Sequence, residues 1–205
     1  MFKKFGISKR RFNAALLCGL LCAAFISLAD FNVACEDLRA NVLRLHIIAN
    51  SNTDSDQELK LKIRDRILAE SDGMFEGVTD VSEALQRAES NTDYYCDLAN
   101  EVIAENGFSY KAKASVGKCY FETREYDTFT LPAGYYESLI ISVGEAKGKN
   151  WWCVIFPEVC IPAAAADLSE TVTEKTSTVA KSPERYIMRF KAVEIYEKIK
   201  KIIIK

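Results

Sequence analysis

The residues best suited to chemistry sit in one short stretch, Leu43-Arg44-Leu45-His46-Ile47-Ile48-Ala49-Asn50-Ser51, which carries the only histidine among 205 residues. An apolar, β-branched run of this length reads as a buried strand, and Asn50-Ser51-Asn52 reads as the turn that stops it. The strand then delivers His46, Asn50 and Ser51 to one end of a sheet. A lone histidine on an apolar strand is usually structural, so a functional role needs companions. Zinc takes several His, Cys or carboxylate ligands, and the chain offers no second histidine and no Cys-x-x-Cys. No metal site and no cofactor is expected. Gly144-Glu145-Ala146-Lys147-Gly148-Lys149 also lacks the Walker spacing and the Ser or Thr after lysine. His46 facing a cysteine such as Cys119 or Cys153 would make a thiol nucleophile. Trp151-Trp152 offers a different chemistry. Adjacent strand residues point to opposite faces, so only one tryptophan enters a given core. The other is exposed or covered by a helix or a partner, since aromatic residues concentrate at interface centres.

Stepping outward from these residues, the charge distribution says where they act. The net charge is -2, with 27 basic and 29 acidic residues, which gives no reason to expect nucleic acid as a partner. Lys3, Lys4, Lys9, Arg10 and Arg11 all precede the first acidic residue, Asp30, and the stretch from Ala14 to Leu28 has no charge. A basic start, an apolar core and the small residues Ser27 and Ala29 form a secretory signal over 1–29, with cleavage between Ala29 and Asp30. The competing reading is an uncleaved membrane anchor, although Asp30 interrupts the apolar run. Either places the body outside the cytoplasm. Cys18 and Cys22 fall within that leader, leaving Cys35, Cys96, Cys119, Cys153 and Cys160. Cys153 and Cys160 bracket Pro157, which suits a local disulfide in an oxidising compartment. Cys96 and Cys119 read as buried thiols.

The elements that must position the site follow from periodicity. Ser55-Asp56-Gln57-Glu58 has the form of a capping box, followed by Leu59, Ile63 and Ile67 on one helical face. A second helix starts near Asp80, and a third runs from about Thr92 with Tyr95, Leu98, Ala99, Val102 and Ile103 at helical spacing, ending at Asn106-Gly107. Tyr110 to Val116 alternates as a strand, with Gly117 expected to mark a bulge before Cys119 and Phe121. The strands around Leu139–Val143 and Trp151–Phe156, joined by a turn from Gly144 to Asn150, are expected to pair as an antiparallel hairpin. The fold class is α+β, an antiparallel or mixed sheet of four to five strands covered by helices. Residues 163–181 read as a flexible linker. Residues 182–205 read as an amphipathic C-terminal helix, opened by Ser182-Pro183, with Tyr186, Phe190, Val193, Tyr196, Ile199 and Ile203 as its apolar stripe. That stripe suits docking on the domain itself, membrane contact or a partner helix.

Three motifs stand in order: Leu43 to Ser51; Leu131-Pro132-Ala133-Gly134-Tyr135-Tyr136; and Asn150-Trp151-Trp152-Cys153-Val154-Ile155-Phe156-Pro157-Glu158-Val159-Cys160. Together they resemble the stage II sporulation protein R family of endospore-forming Firmicutes. The likeness covers about 39–162 and departs at Glu158-Val159, where Pro-Leu-like residues are the family habit. The resemblance implies a protein made in the forespore and exported into the space between the two membranes. There it would trigger a membrane-embedded aspartic protease that processes pro-sigma-E. On that reading the chain is a ligand rather than an enzyme and takes no small-molecule substrate. Arg44, His46, Asn50, Ser51, Trp151 and Trp152 would form the partner-binding face, with Cys153–Cys160 clamping the strand end. Membrane contact would come through the N-terminal segment or the C-terminal helix. The enzymatic alternative is an exported thiol hydrolase using His46 with a free cysteine.

Overall fold

A computed structural model describes residues 9–126, 129–157, 174–182, 184 and 186–203. The element order is α1 (Lys9–Ala40), β1 (Leu43–Ile48), α2 (Asp54–Met74), α3 (Val81–Ser90), α4 (Thr92–Glu105), β2 (Ala112–Phe121), β3 (Arg124–Glu125), β4 (Thr130–Leu131), β5 (Gly134–Val143), β6 (Asn150–Phe156), α5 (Glu174–Lys181) and α6 (Ile187–Ile203). Four strands form one mixed sheet in the order β2-β5-β1-β6, and β3 pairs with β4 separately. This is the α+β class read from the sequence.

β1 lies between β5 and β6. It runs parallel to β5, with Leu45 opposite Leu139, and antiparallel to β6, with Leu45 opposite Cys153. The expected β5–β6 hairpin is therefore not formed. A strand whose side chains bury on both faces belongs in the sheet interior, where both edges are also paired. β1 has that character and takes the central place. β2 pairs with β5 without a break from Ala112 opposite Val143 to Phe121 opposite Gly134, so Gly117 carries no bulge. The shift of apolar phase along β2 has another cause. Ala112, Ala114 and Val116 face one core, whereas Cys119 and Phe121 face a second core on the other side of the sheet.

The first core joins Leu43, Leu45 and Ile47 to Leu59, Ile63 and Ile67 of α2 and to Tyr95, Leu98, Ala99, Val102 and Ile103 of α4. α2 begins earlier than its Ser55–Glu58 pattern suggests. Thr53 is the N-cap and accepts from the Asp56 amide, while Glu58 pairs with Lys62 rather than reaching back to a cap. Asp80 caps α3 as expected, accepting from the amides of Ser82 and Glu83. The second core sets Phe121, Tyr136 and Val154 against Leu38 of α1, Leu131 of β4 and Ala180 of α5.

α1 continues without interruption through Ala29 and Asp30, both exposed, and burial begins at the next residue, Phe31. Phe31, Ala34, Cys35 and Leu38 are buried in the domain, so the last turns of α1 are part of the fold. Arg39 anchors them, donating from Nη1 to the Ala133 carbonyl at 2.9 Å and pairing through Nη2 with Glu197 of α6 at 3.7 Å. Among the described residues, α1 alone is long and apolar enough to cross a membrane. The segment read as a linker ends in helix: α5 buries Thr176, Ser177, Val179 and Ala180, while 163–173 lie outside the described residues. α6 starts at Ile187, later than Ser182 suggests. Of its expected stripe, Phe190 and Val193 are buried, while Tyr196, Ile199 and Ile203 are exposed.

Candidate partner-binding surface

The end of β1 is a polar junction centred on a carboxylate that sequence reading missed. Asp56, 5% exposed, accepts from Asn50 Nδ2 at 2.9 Å, from Ser51 Oγ at 2.5 Å and, through a short hydrogen bond, from the Tyr110 phenol. Burial alone would raise its pKa, but the bonds from Ser51, Tyr110, Asn50 and Thr53 outweigh that and hold the carboxyl below its ordinary range. Burial and the same carboxylate push the Tyr110 phenol well above its usual value. Asn50 Oδ1 accepts from the Glu145 amide at 2.9 Å, and Asn52 Oδ1 accepts from the Lys149 amide at 2.8 Å. The 144–149 turn is thereby pinned to the β1 end. Gly144 and Gly148 allow the approach. A Cβ would collide with the Asn50 side chain at the first, whose φ is +57°, and with the Ser51 carbonyl at the second. Asn50 and Ser51 thus hold this corner together.

On the second face of the sheet, Arg44 is fully enclosed. Its guanidinium lies 3.9 Å from the Phe121 ring centroid and 5.1 Å from that of Tyr136. Nη2 donates to the Tyr126 hydroxyl at 2.7 Å and Nε to the Cys153 carbonyl at 3.4 Å, while Nη1 has no partner. Among the described residues no carboxylate pairs with it. The aromatic faces supply the compensation, each worth about 1–2 kcal/mol in a desolvated setting. Enclosed in this way, Arg44 touches no partner directly and instead supports the aromatic residues in front of it.

His46 borders that enclosure, half-buried and with both ring nitrogens shielded from solvent. Its ring packs 5.9 Å from Phe121 and 6.1 Å from Trp152, and among the described residues neither ring nitrogen has a well-formed hydrogen bond, the Asn150 side chain standing close but poorly aligned. Burial lowers its pKa, opposed by the nearby Asn150 side chain, so the ring is neutral at pH 7. The tryptophans divide between the faces, as strand geometry requires. Trp151 meets the first core beneath Arg64, at 4.3 Å, and Trp152 meets the second beneath Arg124, at 5.1 Å. Both are half-buried at the edge strand β6, next to the exposed Asn150. His46 and Trp152 are cross-strand neighbours, as are Ile47 and Trp151. The structure therefore brings His46 and Trp152 together, leaves Trp151 on the opposite face and sets Asn50 and Ser51 at the strand end.

Among the described residues, no cysteine is set against His46 as the thiol reading expects. Cys153 pairs with Leu45 across the strands and enters the first core, opposite to the His46 face. Cys119 lies on the second face, but burial raises its pKa and no described thiol donates to His46. Cys160, the expected disulfide partner of Cys153, lies outside the described residues. No group of acidic, His or Cys residues suited to a metal ion occurs among the described residues.

Residues 39–166 match the protein family described as stage II sporulation protein R, and this covers more than half of the chain. The chain belongs to that family. The match contains β1, the Asp56 junction, Arg44 and its aromatic neighbours, and the whole of β6; it ends before α5 and α6. A curated relative, stage II sporulation protein R of Bacillus subtilis (strain 168), is 36% identical over 118 residues, which is 58% of this chain and 53% of the relative. The chain thus matches about half the length of that relative. No solved structure matches the chain. Membership in the stage II sporulation protein R family gives the chain a role in sporulation.

Proposed function

We propose that the chain is an exported signal of sporulation, acting between the two membranes that separate forespore and mother cell. It triggers a membrane-embedded aspartic protease to process pro-sigma-E, by contact rather than by catalysis. The observation that carries this reading is the family match over 39–166, supported by the apolar α1 that precedes it. A contact can activate only by favouring the active state of the protease over the inactive one. The contact face is the β6 edge with His46, Trp152 and Asn150, buttressed from behind by Phe121 and Arg44; Asn50 and Ser51 fix its end and Trp151 its reverse side. The thiol hydrolase loses support, since no described cysteine is hydrogen-bonded to His46.

The test is pro-sigma-E processing in a non-sporulating host that carries the cognate protease. Processing is expected only when the exported chain is present. Trp152→Ala and His46→Ala are expected to reduce it at equal secretion and unchanged circular dichroism. Processing that is indifferent to the chain, in a host where protease and export are both verified, would overturn the proposal.

A further inference from the structure

The inner side of α6 is satisfied by the domain. Tyr186 stacks on Phe31 at 5.5 Å, Phe190 meets the same ring edge-on at 5.0 Å, Val193 is buried, and Glu197 pairs with Arg39. The outer side is not satisfied. At 100° per residue, Met188, Ala192, Ile195, Ile199 and Ile202 form one stripe opposite Phe190, Val193 and Glu197. Met188 is 81% exposed, Ile195 59%, Ile199 51% and Ile202 76%. An apolar stripe of this extent on one helix marks an interaction surface.

Two features identify what covers it. The first is the placement of basic residues. By the same helical angle Arg189 and Lys200 border the stripe on one side, and Lys191 and Lys198 border it on the other, where both pair with Glu194 at 3.1 and 2.8 Å. α6 still carries five basic residues against two acidic ones, and an apolar stripe on a net basic helix is the pattern of one lying flat at an anionic lipid surface. The second is continuity. Ala192 and Tyr196 share one apolar groove with Phe25, Leu28 and Ala29 of α1. Phe25 and Leu28 belong to the exposed apolar part of the one described helix able to cross a membrane. A bilayer that took up the exposed apolar part of α1 would therefore meet the outer stripe of α6 beside the point where that helix emerges.

We propose that the Met188–Ile202 face of α6 lies in the interface of an anionic lipid bilayer, beside the emerging end of α1, and fixes the tilt of the domain on the membrane. The inference goes beyond the triggering role and involves no protease, so its test can fail without touching that role. A photo-activatable diazirine side chain would be placed at Ile199, at Phe25 or at Lys118 of β2 in the full chain. Each protein would be reconstituted in vesicles of phosphatidylglycerol and phosphatidylethanolamine. These positions are exposed, so the fold is retained. Lipid adducts at Ile199 are expected at a yield near that of Phe25 and at least about fivefold above Lys118, as a headgroup-level helix requires. Adducts linking two chains through Ile199, without lipid, would assign the face to a second copy and overturn the proposal. Labelling at Ile199 no greater than at Lys118 would overturn it as well.

Discussion

Asp56 combines near-complete burial with hydrogen bonds from Ser51, Asn50 and Tyr110. Replacing it by alanine leaves those donors without an acceptor in a place water barely reaches. Asp56→Ala is expected to lose about 3 kcal/mol in urea unfolding of the full chain in detergent. Because the folded carboxyl titrates below its ordinary 3.8, its stabilisation is complete above that pH and is lost as pH falls through the depressed folded value. His46 adds an earlier step of the same sign. Below its ordinary 6.5 the unfolded chain takes up a proton that the buried ring resists, so stability declines from there towards the lower folded pKa. His46→Gln is expected to flatten that first step in unfolding midpoints measured against pH, and to leave the step below 3.8 unchanged. Arg44 yields an opposite kind of prediction. With no carboxylate partner to strand, Arg44→Met keeps the volume and loses only about 1 kcal/mol or less, whereas Arg44→Ala opens a cavity and loses about 3 kcal/mol. Equal losses in the two variants would show that the charge itself, rather than its packing, matters.

At the scale of elements, the junction of β1, α2 and the 144–149 turn depends on close backbone approach. Gly148→Ala and Gly144→Ala are expected to lower the thermal midpoint by several degrees, the equivalent of about 1–2 kcal/mol each, since each added methyl meets Ser51 or Asn50. Gly117→Ala, whose Cβ would sit 4.0 Å from Ile140 Cδ1, is expected to be neutral or stabilising. The contrast also shows what the sequence makes legible. Helices α2, α3 and α4 are written in local periodicity and caps, and β1 in its apolar run, so each is readable without its neighbours. Strand order is not local. The turn between β5 and β6 has the length of a hairpin loop, yet β1 takes the position between them because it is apolar on both faces and arrives from far upstream. The site was legible in part for the same reason. His46 and the opposed tryptophans follow from strand alternation, whereas Asp56 was masked by a plausible capping pattern and the enclosure of Arg44 depends on Phe121 and Tyr136. α5 escaped notice because eight residues of Glu, Lys, Ser, Thr, Val and Ala have no strong period of their own.

For the whole molecule, the cleavage point expected between Ala29 and Asp30 falls inside one helix, one residue before burial begins at Phe31. A chain beginning at Asp30 keeps Phe31, Ala34, Cys35 and Leu38, and is expected to retain the unfolding midpoint of the full protein. A chain beginning at Asn41 loses them together with Arg39. At about 1.5–3 kcal/mol each for Phe31 and Leu38, with smaller terms for Ala34 and Cys35, that loss reaches the lower end of a typical domain's stability. It is expected to give no cooperative thermal transition by circular dichroism. Two equally stable truncations would show that the last turns of α1 only rest on the fold. The central position of β1 has a further effect, on the order of assembly. Leu45 finds its partners Leu139 and Cys153 roughly a hundred residues later, so the sheet cannot close around its first strand until nearly the whole domain has been delivered. On the proposed export, a polypeptide threaded head-first through a translocation pore would emerge without a finished core to jam behind it, and would snap shut only on the far side.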